Sequence, residues 1–159
     1  MILTKQLTQI ADDSRNWKNL GKKIVFTNGC FDLLHKGHLD LLFNASRLGD
    51  LLIVGLNSDN SVKKLKGRDR PVQPEADRKE AILNTNFVEK VYIFNTETPK
   101  AIIETLRPDY LVKGGDYKSD EIIGAEDVHS WGGKVKIFPL TPGYSTTKKI
   151  KKMRTQGLV

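Results

Sequence analysis

The sequence predicts an α/β fold, a Rossmann-like doubly wound parallel sheet in a single domain. Short runs rich in β-branched residues alternate along the chain with segments of helical periodicity. The first two runs are almost continuously apolar, as expected of strands that are buried on both faces. The length of 159 residues suits one domain with a sizeable core, and no repeat or linker divides it. We therefore expect one domain over 1–159, with a helical leader at 1–22 and a core at 23–153.

Five runs are predicted to be the strands of this sheet. They are KIVFTN, LLIVGLN, KVYIF, YLVKG and KVKIF, at residues 23–28, 51–57, 90–94, 110–114 and 134–138. Strands that alternate with helices favour right-handed crossovers between parallel neighbours. In sheets of this kind, ligands bind beyond the carboxyl ends of the strands.

The helices before the middle of the chain have recognisable start and stop signals. An amphipathic segment at roughly 3–20 is expected to pack outside the sheet. The next helix begins near Lys36, and Gly49 is a plausible left-handed residue just past its end. Pro74 is favoured in the first turn of a helix and opens the segment PEADRKEAILNT.

Three further helices are expected in the second half. Thr98 is the predicted N-cap of a helix that stops before Pro108. The segment 119–133 is a weaker helical pattern, interrupted by Gly124. The last helix is predicted over 145–154, with Ser145 as its cap.

Composition and charge indicate which classes of partner and which cellular compartment suit the protein. The net charge of +7 favours anionic partners, and much of it lies in two basic runs, Lys63 to Arg70 and Lys148 to Arg154. Aromatic residues make up 8% of the chain and do not interleave with these runs, so the pattern argues against nucleic acid as the partner. Two solvated basic faces remain the plain alternative. The sequence has no bilayer-spanning stretch, no signal-peptide layout and a single cysteine, Cys30, which together indicate the cytoplasm and no membrane partner.

The stretch FTNGCFDLLHKGHLDLL holds two of the three histidines of the chain, where the first strand gives way to a helix. His35 and His38 share one face of the first helical turn, and Gly37 between them permits close approach to the backbone. Helix N-termini bind phosphate, so both imidazoles face an anion site. Two donors aimed at one phosphate suit transfer at phosphorus, which needs no covalent nucleophile; the sole candidate for one is Cys30.

Two other interpretations of the histidines remain open at this point. A histidine at such a position is often structural, and a pair at this spacing can ligate zinc. Zinc would need a third ligand, but His129 is distant in sequence and no second cysteine exists.

A second phosphate site is predicted near the end of the chain. Ser145, Thr146 and Thr147 follow Gly143 and open the last helix, so they offer hydroxyls and free backbone N–H groups. An ordinary helix cap is the simpler explanation of the same residues.

The segment GCFDLLHKGH resembles the first signature of the HxGH nucleotidyltransferase superfamily, which includes the cytidylyltransferases. The segments LKGRDRPVQP, DYLVKGGDY and GYSTTKKIKK resemble, more narrowly, the adenylyltransferase domain of ADP-heptose synthases. This resemblance extends over nearly all of the chain from Lys23 to Met153. It implies transfer of AMP from ATP to D-glycero-β-D-manno-heptose 1-phosphate, giving ADP-heptose and pyrophosphate.

The resemblance also implies roles for individual residues. The catalytic set would be His35, His38, Lys64 and Lys66, with both lysines contacting substrate phosphates. The nucleotide-binding set would be Asn28, Gly29, Phe31, Asp32, Gly37, Arg78, Gly114, Gly115, Asp116, Ser145, Thr146 and Thr147. Arg78 has a plain alternative as a surface arginine on an amphipathic helix, and Asp59 is expected to order the basic loop after strand two. Mg²⁺ would be held mainly by the ATP phosphates, and a homodimer is implied.

The sequence departs from the wider family in two respects. Many cytidylyltransferases have an arginine where this chain has Leu140, which counts against that activity. Many ADP-heptose synthases carry a sugar kinase domain, so the chain is either a stand-alone enzyme or an excised domain, and the leader 1–22 favours the former. The alternatives are another phosphate-accepting nucleotidyltransferase, such as a glycerol-3-phosphate cytidylyltransferase, or a non-catalytic nucleotide- or RNA-binding module.

Overall fold

A five-stranded parallel sheet forms the centre of the protein. The computed structural model describes residues 4–115, 118, 121–143 and 146–157, and for 146–149 and 152 it describes the backbone alone. The strands are β1 Ile24–Gly29, β2 Leu51–Asn57, β3 Lys90–Phe94, β4 Tyr110–Gly114 and β5 Lys134–Phe138. Their order across the sheet is β3-β2-β1-β4-β5, and every neighbouring pair is parallel. The predicted fold class and all five predicted strands are confirmed.

Helices cover both faces of this sheet. They are α1 Lys5–Asn19, α2 Lys36–Ser46, α3 Asp59–Lys66, α4 Glu75–Leu83, α5 Lys100–Leu106, α6 Ala125–Ser130 and α7 Thr146–Thr155. Side chains of α1, α5 and α6 pack in one apolar cluster with alternate residues of the strands, among them Phe26 and Leu111. Side chains of α2 and α4 pack in a second cluster on the other face, with Val25 and Val112. None of the described helices has the length and apolar character needed to cross a bilayer.

Helix α3 is the one described helix that the sequence analysis did not predict. It occupies the first part of the basic segment that was expected to be a loop after β2. Ser58 caps it, with its hydroxyl accepting from the backbone N–H of Ser61 at 3.1 Å, and Asp59 lies in the first turn. A serine followed by an acidic residue is a recognisable helix start. The lysine-rich sequence that follows has only Val62 and Leu65 as a short apolar face, so its helical periodicity was not recognised.

Several predicted helix ends are wrong by a small margin. Gly49 is not a left-handed C′ residue; helix α2 ends at Ser46, and a Cβ at Gly49 would lie 2.9 Å from the backbone oxygen of Lys23. That glycine is therefore needed for close packing against the start of β1. The caps of α4 and α5 are Pro74 and Pro99, each one residue from its predicted place. Helix α6 begins only after Gly124, whose φ is +90°.

The leader helix α1 is attached to the domain by both apolar and polar contacts. Leu7 and Ile10 are buried in the first apolar cluster. On the polar side, the Asp13 carboxylate accepts from Lys90 Nζ at 2.8 Å and from the Tyr92 hydroxyl at 2.6 Å, so it joins α1 to β3. Burial opposes ionisation of Asp13, but these hydrogen bonds outweigh it and lower the pKa of the carboxyl. Burial raises the pKa of Tyr92, and the hydrogen bond to Asp13 and the charge of that carboxylate act in the same direction.

Asp13→Asn is expected to lower the free energy of unfolding by about 1–2 kcal/mol at pH 7, because Lys90 and Tyr92 lose a charged acceptor. A lowered carboxyl pKa stabilises the fold above the unfolded value and is lost as pH falls through the folded value. The difference between variant and wild type should therefore shrink below about pH 4, the ordinary range for an aspartate. Urea unfolding at pH 7 and at pH 3 measures it. Asp12→Asn, which breaks an exposed pair with Arg15, is the matched control, and an equal effect there would contradict the assignment.

Candidate active site

A cavity of about 940 Å³ opens at the carboxyl ends of the strands. The chain passes from β1 outward to β2 and β3 and then returns to β4 on the other side of β1, so β1 and β4 flank the point where the strand order reverses. Parallel α/β sheets bind ligands at this crevice. The volume is in the range of small-molecule sites. The cavity is lined from both faces of the sheet, by α2 on one side and by the segments before α5 and α6 on the other.

His35 and His38 form a reciprocal cap at the start of α2. His35 is the N-cap residue, and its Nδ1 accepts from the backbone N–H of Gly37 at 3.0 Å. His38 Nδ1 accepts from the backbone N–H of His35 at 3.2 Å. The two rings stack, with centroids 3.9 Å apart and planes inclined by 23°. Because His35 and His38 are three residues apart, they cap the start of α2 and also lie together at the site.

This capping arrangement fixes which ring nitrogen carries the proton. Because each Nδ1 accepts a hydrogen bond from the backbone, the neutral imidazole carries its proton on Nε2. Both histidines line the cavity, so two imidazoles with a defined tautomer lie beside the positive end of the α2 dipole. The predicted start of this helix near Lys36 is confirmed.

The loop between β1 and α2 is held in an unusual backbone conformation. Phe31 and Leu33 have positive φ angles of 48° and 52°, a region that non-glycine residues rarely adopt. The Leu33 N–H donates to Gln73 Oε1 at 3.1 Å. Phe31 is buried, lines the cavity with Asn28, and lies with its ring centroid 5.5 Å from that of His38. The loop therefore presents a fixed wall to the site.

Asp32 secures the segment that follows α3. Its carboxylate is buried and accepts from the backbone N–H of Val72 at 2.8 Å and of Gln73 at 3.1 Å. It also pairs with Arg70 Nε at 3.2 Å. Asp32 and Arg70 both line the cavity, so this carboxylate shapes one wall by fixing a distant stretch of chain. The Arg70–Pro71 peptide bond in that stretch is cis.

Arg78 is fully buried, so its interpretation as a surface arginine is wrong. Its guanidinium donates to four oxygens in three separate segments. The acceptors are the backbone oxygens of Cys30 and Asn57, each at 2.8 Å, that of Gln73 at 3.0 Å, and Asp59 Oδ1 at 2.8 Å. These segments follow β1 and β2 and precede α4. Arg78 is not among the residues that line the cavity, so its described contacts position the loops.

The two predicted catalytic lysines are placed differently. Lys66, at the end of α3, lines the main cavity. Lys64 lines a second, smaller cavity of about 270 Å³ with Ser61 and Asn95. Residues two apart on a helix point in different directions, which explains the separation. A phosphate contact by Lys64 stays a prediction.

The predicted glycines and hydroxyl residues are only partly described. Gly29, Gly37 and Gly114 line the cavity, and Gly114 also lets Leu41 of α2 approach, since a Cβ there would lie 3.3 Å from it. Gly115 has a φ of +120°, a conformation that favours glycine. Asp116 and Ser145 lie outside the described residues, and of Thr146 and Thr147 only the helical backbone is described. Roles for these four residues stay predictions.

Cys30 lines the cavity but is poorly suited to act as a nucleophile. Burial raises the pKa of its thiol, although the charges of Lys66 and Arg78 act in the opposite direction. The thiolate is the reactive form of cysteine, so a raised pKa disfavours attack by this residue. The position of Cys30 and its raised pKa therefore favour direct transfer from one substrate to the other, without a covalent bond to this cysteine.

Lys113 and Asp40 are two residues of the cavity that were not predicted from the sequence. Lys113, near the end of β4, lines it together with Lys66. Asp40 accepts from Lys36 Nζ and from the Thr141 hydroxyl, both at 2.9 Å, and so attaches the segment before α7 to α2. Lys113 lies in the quoted segment DYLVKGGDY, where a lysine in an otherwise apolar strand was the available signal.

Comparison with known proteins identifies the family. The crystal structure of the lipopolysaccharide core biosynthesis protein from Thermoplasma volcanium is similar, with a TM-score of 0.62 and 28% identity, over 76% of this chain and 98% of that chain. The bifunctional protein HldE of Acidiphilium cryptum is 47% identical over 97% of this chain, and that of Koribacter versatilis is 52% identical over 86%.

This chain covers less than a third of the length of these two HldE relatives. This chain spans 31% of the Acidiphilium protein and 28% of the Koribacter protein. The family model described as cytidylyltransferase-like matches residues 26–152, which is most of the chain. The resemblance to this group of nucleotidyltransferases, predicted from the histidine motif, is confirmed. The chain belongs to the cytidylyltransferase-like family.

Proposed function

We propose that the protein transfers AMP from ATP to D-glycero-β-D-manno-heptose 1-phosphate, releasing pyrophosphate. The observation that carries the proposal is the reciprocal histidine cap at the start of α2. It presents two Nε2–H donors beside a helix N-terminus, inside a cavity large enough for a nucleotide. Such a site is suited to stabilising charge on phosphate oxygens during transfer at phosphorus.

The choice of a heptose phosphate as acceptor rests on sequence motifs and relatives. The segments LKGRDRPVQP and DYLVKGGDY resemble those of ADP-heptose synthases, and relatives about half identical to this chain are bifunctional HldE proteins. The similar protein of Thermoplasma volcanium belongs to lipopolysaccharide core biosynthesis, which fits a sugar phosphate as substrate. Leu140 lines the cavity where cytidylyltransferases commonly have an arginine, which favours adenylyl transfer.

The chemistry of the step explains the kind of residues present. A phosphomonoester with a second pKa near 6 is already mostly dianionic at pH 7, so its oxygen can attack the α-phosphorus without a general base. The chain then has to align the two substrates and neutralise charge on the leaving pyrophosphate. His35 and His38 donate Nε2–H groups, Lys66 contributes a mobile cation, and Asp32 and Arg78 keep the loops in place.

Mg²⁺ is the metal ion that we propose for the reaction. The described residues include no group of three or more His, Cys, Asp or Glu arranged to hold a metal ion. The Asp32 carboxylate is engaged by backbone N–H groups and Arg70, so the donor set suits an ion held by ATP phosphates and water. When bound, Mg²⁺ would neutralise charge on the phosphates. A cytoplasmic location and a homodimeric state also belong to this proposal.

The decisive experiment measures pyrophosphate release with Mg²⁺ for each pairing of ATP or CTP with heptose 1-phosphate or glycerol 3-phosphate. Release with ATP and the heptose phosphate alone is the expected result. Release with CTP and glycerol 3-phosphate would overturn the proposed substrates while keeping phosphorus chemistry at the histidines. No release with any pair, together with salt-dependent RNA binding, would favour the non-catalytic module instead.

A further inference from the structure

Lys113 is a cation of the cavity in addition to Lys66 and Arg70, and it lies on the opposite side of the sheet from the histidines. In the register of β1 with β4, Phe26 pairs with Leu111 and Thr27 with Val112, so Asn28 and Lys113 come next along the two strands. Side chains alternate between the faces of a strand, so Asn28 and Lys113 share the face of Phe26 and Leu111, which α1, α5 and α6 cover. Helix α2 with its histidines packs on the other face.

The surroundings of Lys113 point to an anion. It lines the cavity together with Lys66 of α3, so two cations face one space. Burial lowers the pKa of Lys113, and the charge of Lys66 acts in the same direction, whereas Cys30 opposes them. Two positively charged side chains that line one cavity favour binding of an anion in the space between them.

A hydroxyl-rich ligand fits the wall around this lysine. Ile122 and Phe94, which belong to the apolar cluster on the same face, line the cavity with the carboxylates Glu97 and Glu121 and the hydroxyl of Thr98. Carboxylates and hydroxyls accept hydrogen bonds from sugar hydroxyls, whereas the two carboxylates repel phosphate. The combination of two cations and several neutral or acidic acceptors therefore suits a compound with one phosphate and several hydroxyls.

We propose that Lys113 and Lys66 bind the phosphate of the acceptor, the sugar 1-phosphate, between them. The inference rests on the proposed function and specifies how its second substrate is bound. With the leaving pyrophosphate held at α2, the attacking phosphate arrives from the other face of the sheet. That separation gives the in-line arrangement that transfer at phosphorus needs.

The test is Lys113→Met, which keeps the length of the side chain and removes its charge. We expect the KM for heptose 1-phosphate to rise by about tenfold to a hundredfold, the scale of losing one charged hydrogen bond, with less than about a twofold change in the KM for ATP. Lys136→Met removes the same charge from an exposed position on β5 and should leave both constants unchanged. An equal rise in both KM values, a rise for ATP alone, or no change would overturn the proposal.

Two further measurements separate this proposal from a structural role and from the proposed function. The melting temperature of Lys113→Met without substrates should stay within about 3 °C of the wild type, because the proposed role of the side chain is in binding the ligand and not in the fold; a structural lysine would lower it by more. If Lys113→Met does not fold, Lys113→Arg, which keeps the charge, should retain acceptor binding. The second measurement is the binding of heptose 1-phosphate by calorimetry in the presence of a non-reactive ATP analogue. It does not depend on turnover. Binding that depends on Lys113 in an inactive wild type would keep this inference and reject the activity, whereas absent binding would overturn the inference.

Discussion

Replacing either His35 or His38 by alanine is expected to lower turnover by about 100-fold or more, the scale for losing one preorganised donor to a transition state. Each ring uses Nδ1 to accept a backbone N–H at the start of α2 and so carries its proton on Nε2, which we propose donates to the substrate. The alanine variants lose both functions. Single-turnover measurement of pyrophosphate release, at saturating ATP and heptose phosphate, isolates the chemical step.

A second substitution at His35 separates the cap from the chemistry. Asparagine is among the best N-cap residues, so His35→Asn should preserve the start of α2 while removing the Nε2–H group. Its free energy of unfolding is expected to stay within about 0.5 kcal/mol of the wild type, as for a retained cap. Its turnover should nevertheless fall as far as that of His35→Ala.

His129→Ala is the matched control, since His129 is exposed on α6 and does not line the cavity. It should turn over at the wild-type rate. Near-normal turnover of both His35→Asn and His38→Ala would reject a catalytic role for the pair. The histidines would then serve only to cap the helix.

The sheet could be predicted from the sequence because its signals are local. Strands β1 and β2 are mostly buried and appear in the sequence as short apolar runs, whereas the edge strand β5 is partly exposed and alternates lysine with apolar residues. Each of the five was recognisable on its own. Helix α3 lacked such a signal, because a short lysine-rich segment has a narrow apolar face. Gly49 shows the complementary limit, since its small size is needed by a strand that lies more than twenty residues away in the chain.

The same distinction between local and distant partners applies to the site. The histidine pair was predictable, since the spacing, the glycine and the helix start lie within four residues. The positions of Lys64 and Lys113 depend on how α3 and β4 are oriented against the cavity, which the sequence alone does not show. The role of Arg78 depends on four acceptors contributed by three other parts of the chain.

Arg78→Met is expected to lower the free energy of unfolding by about 3–5 kcal/mol, the range for breaking a buried charged network by removing one partner. The substitution leaves three backbone oxygens and the Asp59 carboxylate without the donor that joins them. Arg78→Lys should be nearly as damaging, because a single ammonium cannot reproduce the planar fork that reaches separate loops. Urea unfolding measures both variants.

Lys79→Met, on the same helix, removes the same charge one residue away and should change stability by less than about 0.5 kcal/mol.

The Arg78 variants also test the nucleotide-binding role that the sequence motif implies. A stable Arg78→Met protein with a raised KM for ATP alone would favour a direct contact with the nucleotide. Loss of stability, with turnover reduced for every substrate, would instead be explained by the buried position of Arg78. The segments after β1 and β2 carry the histidines and Lys66, and Arg78 holds both segments in place.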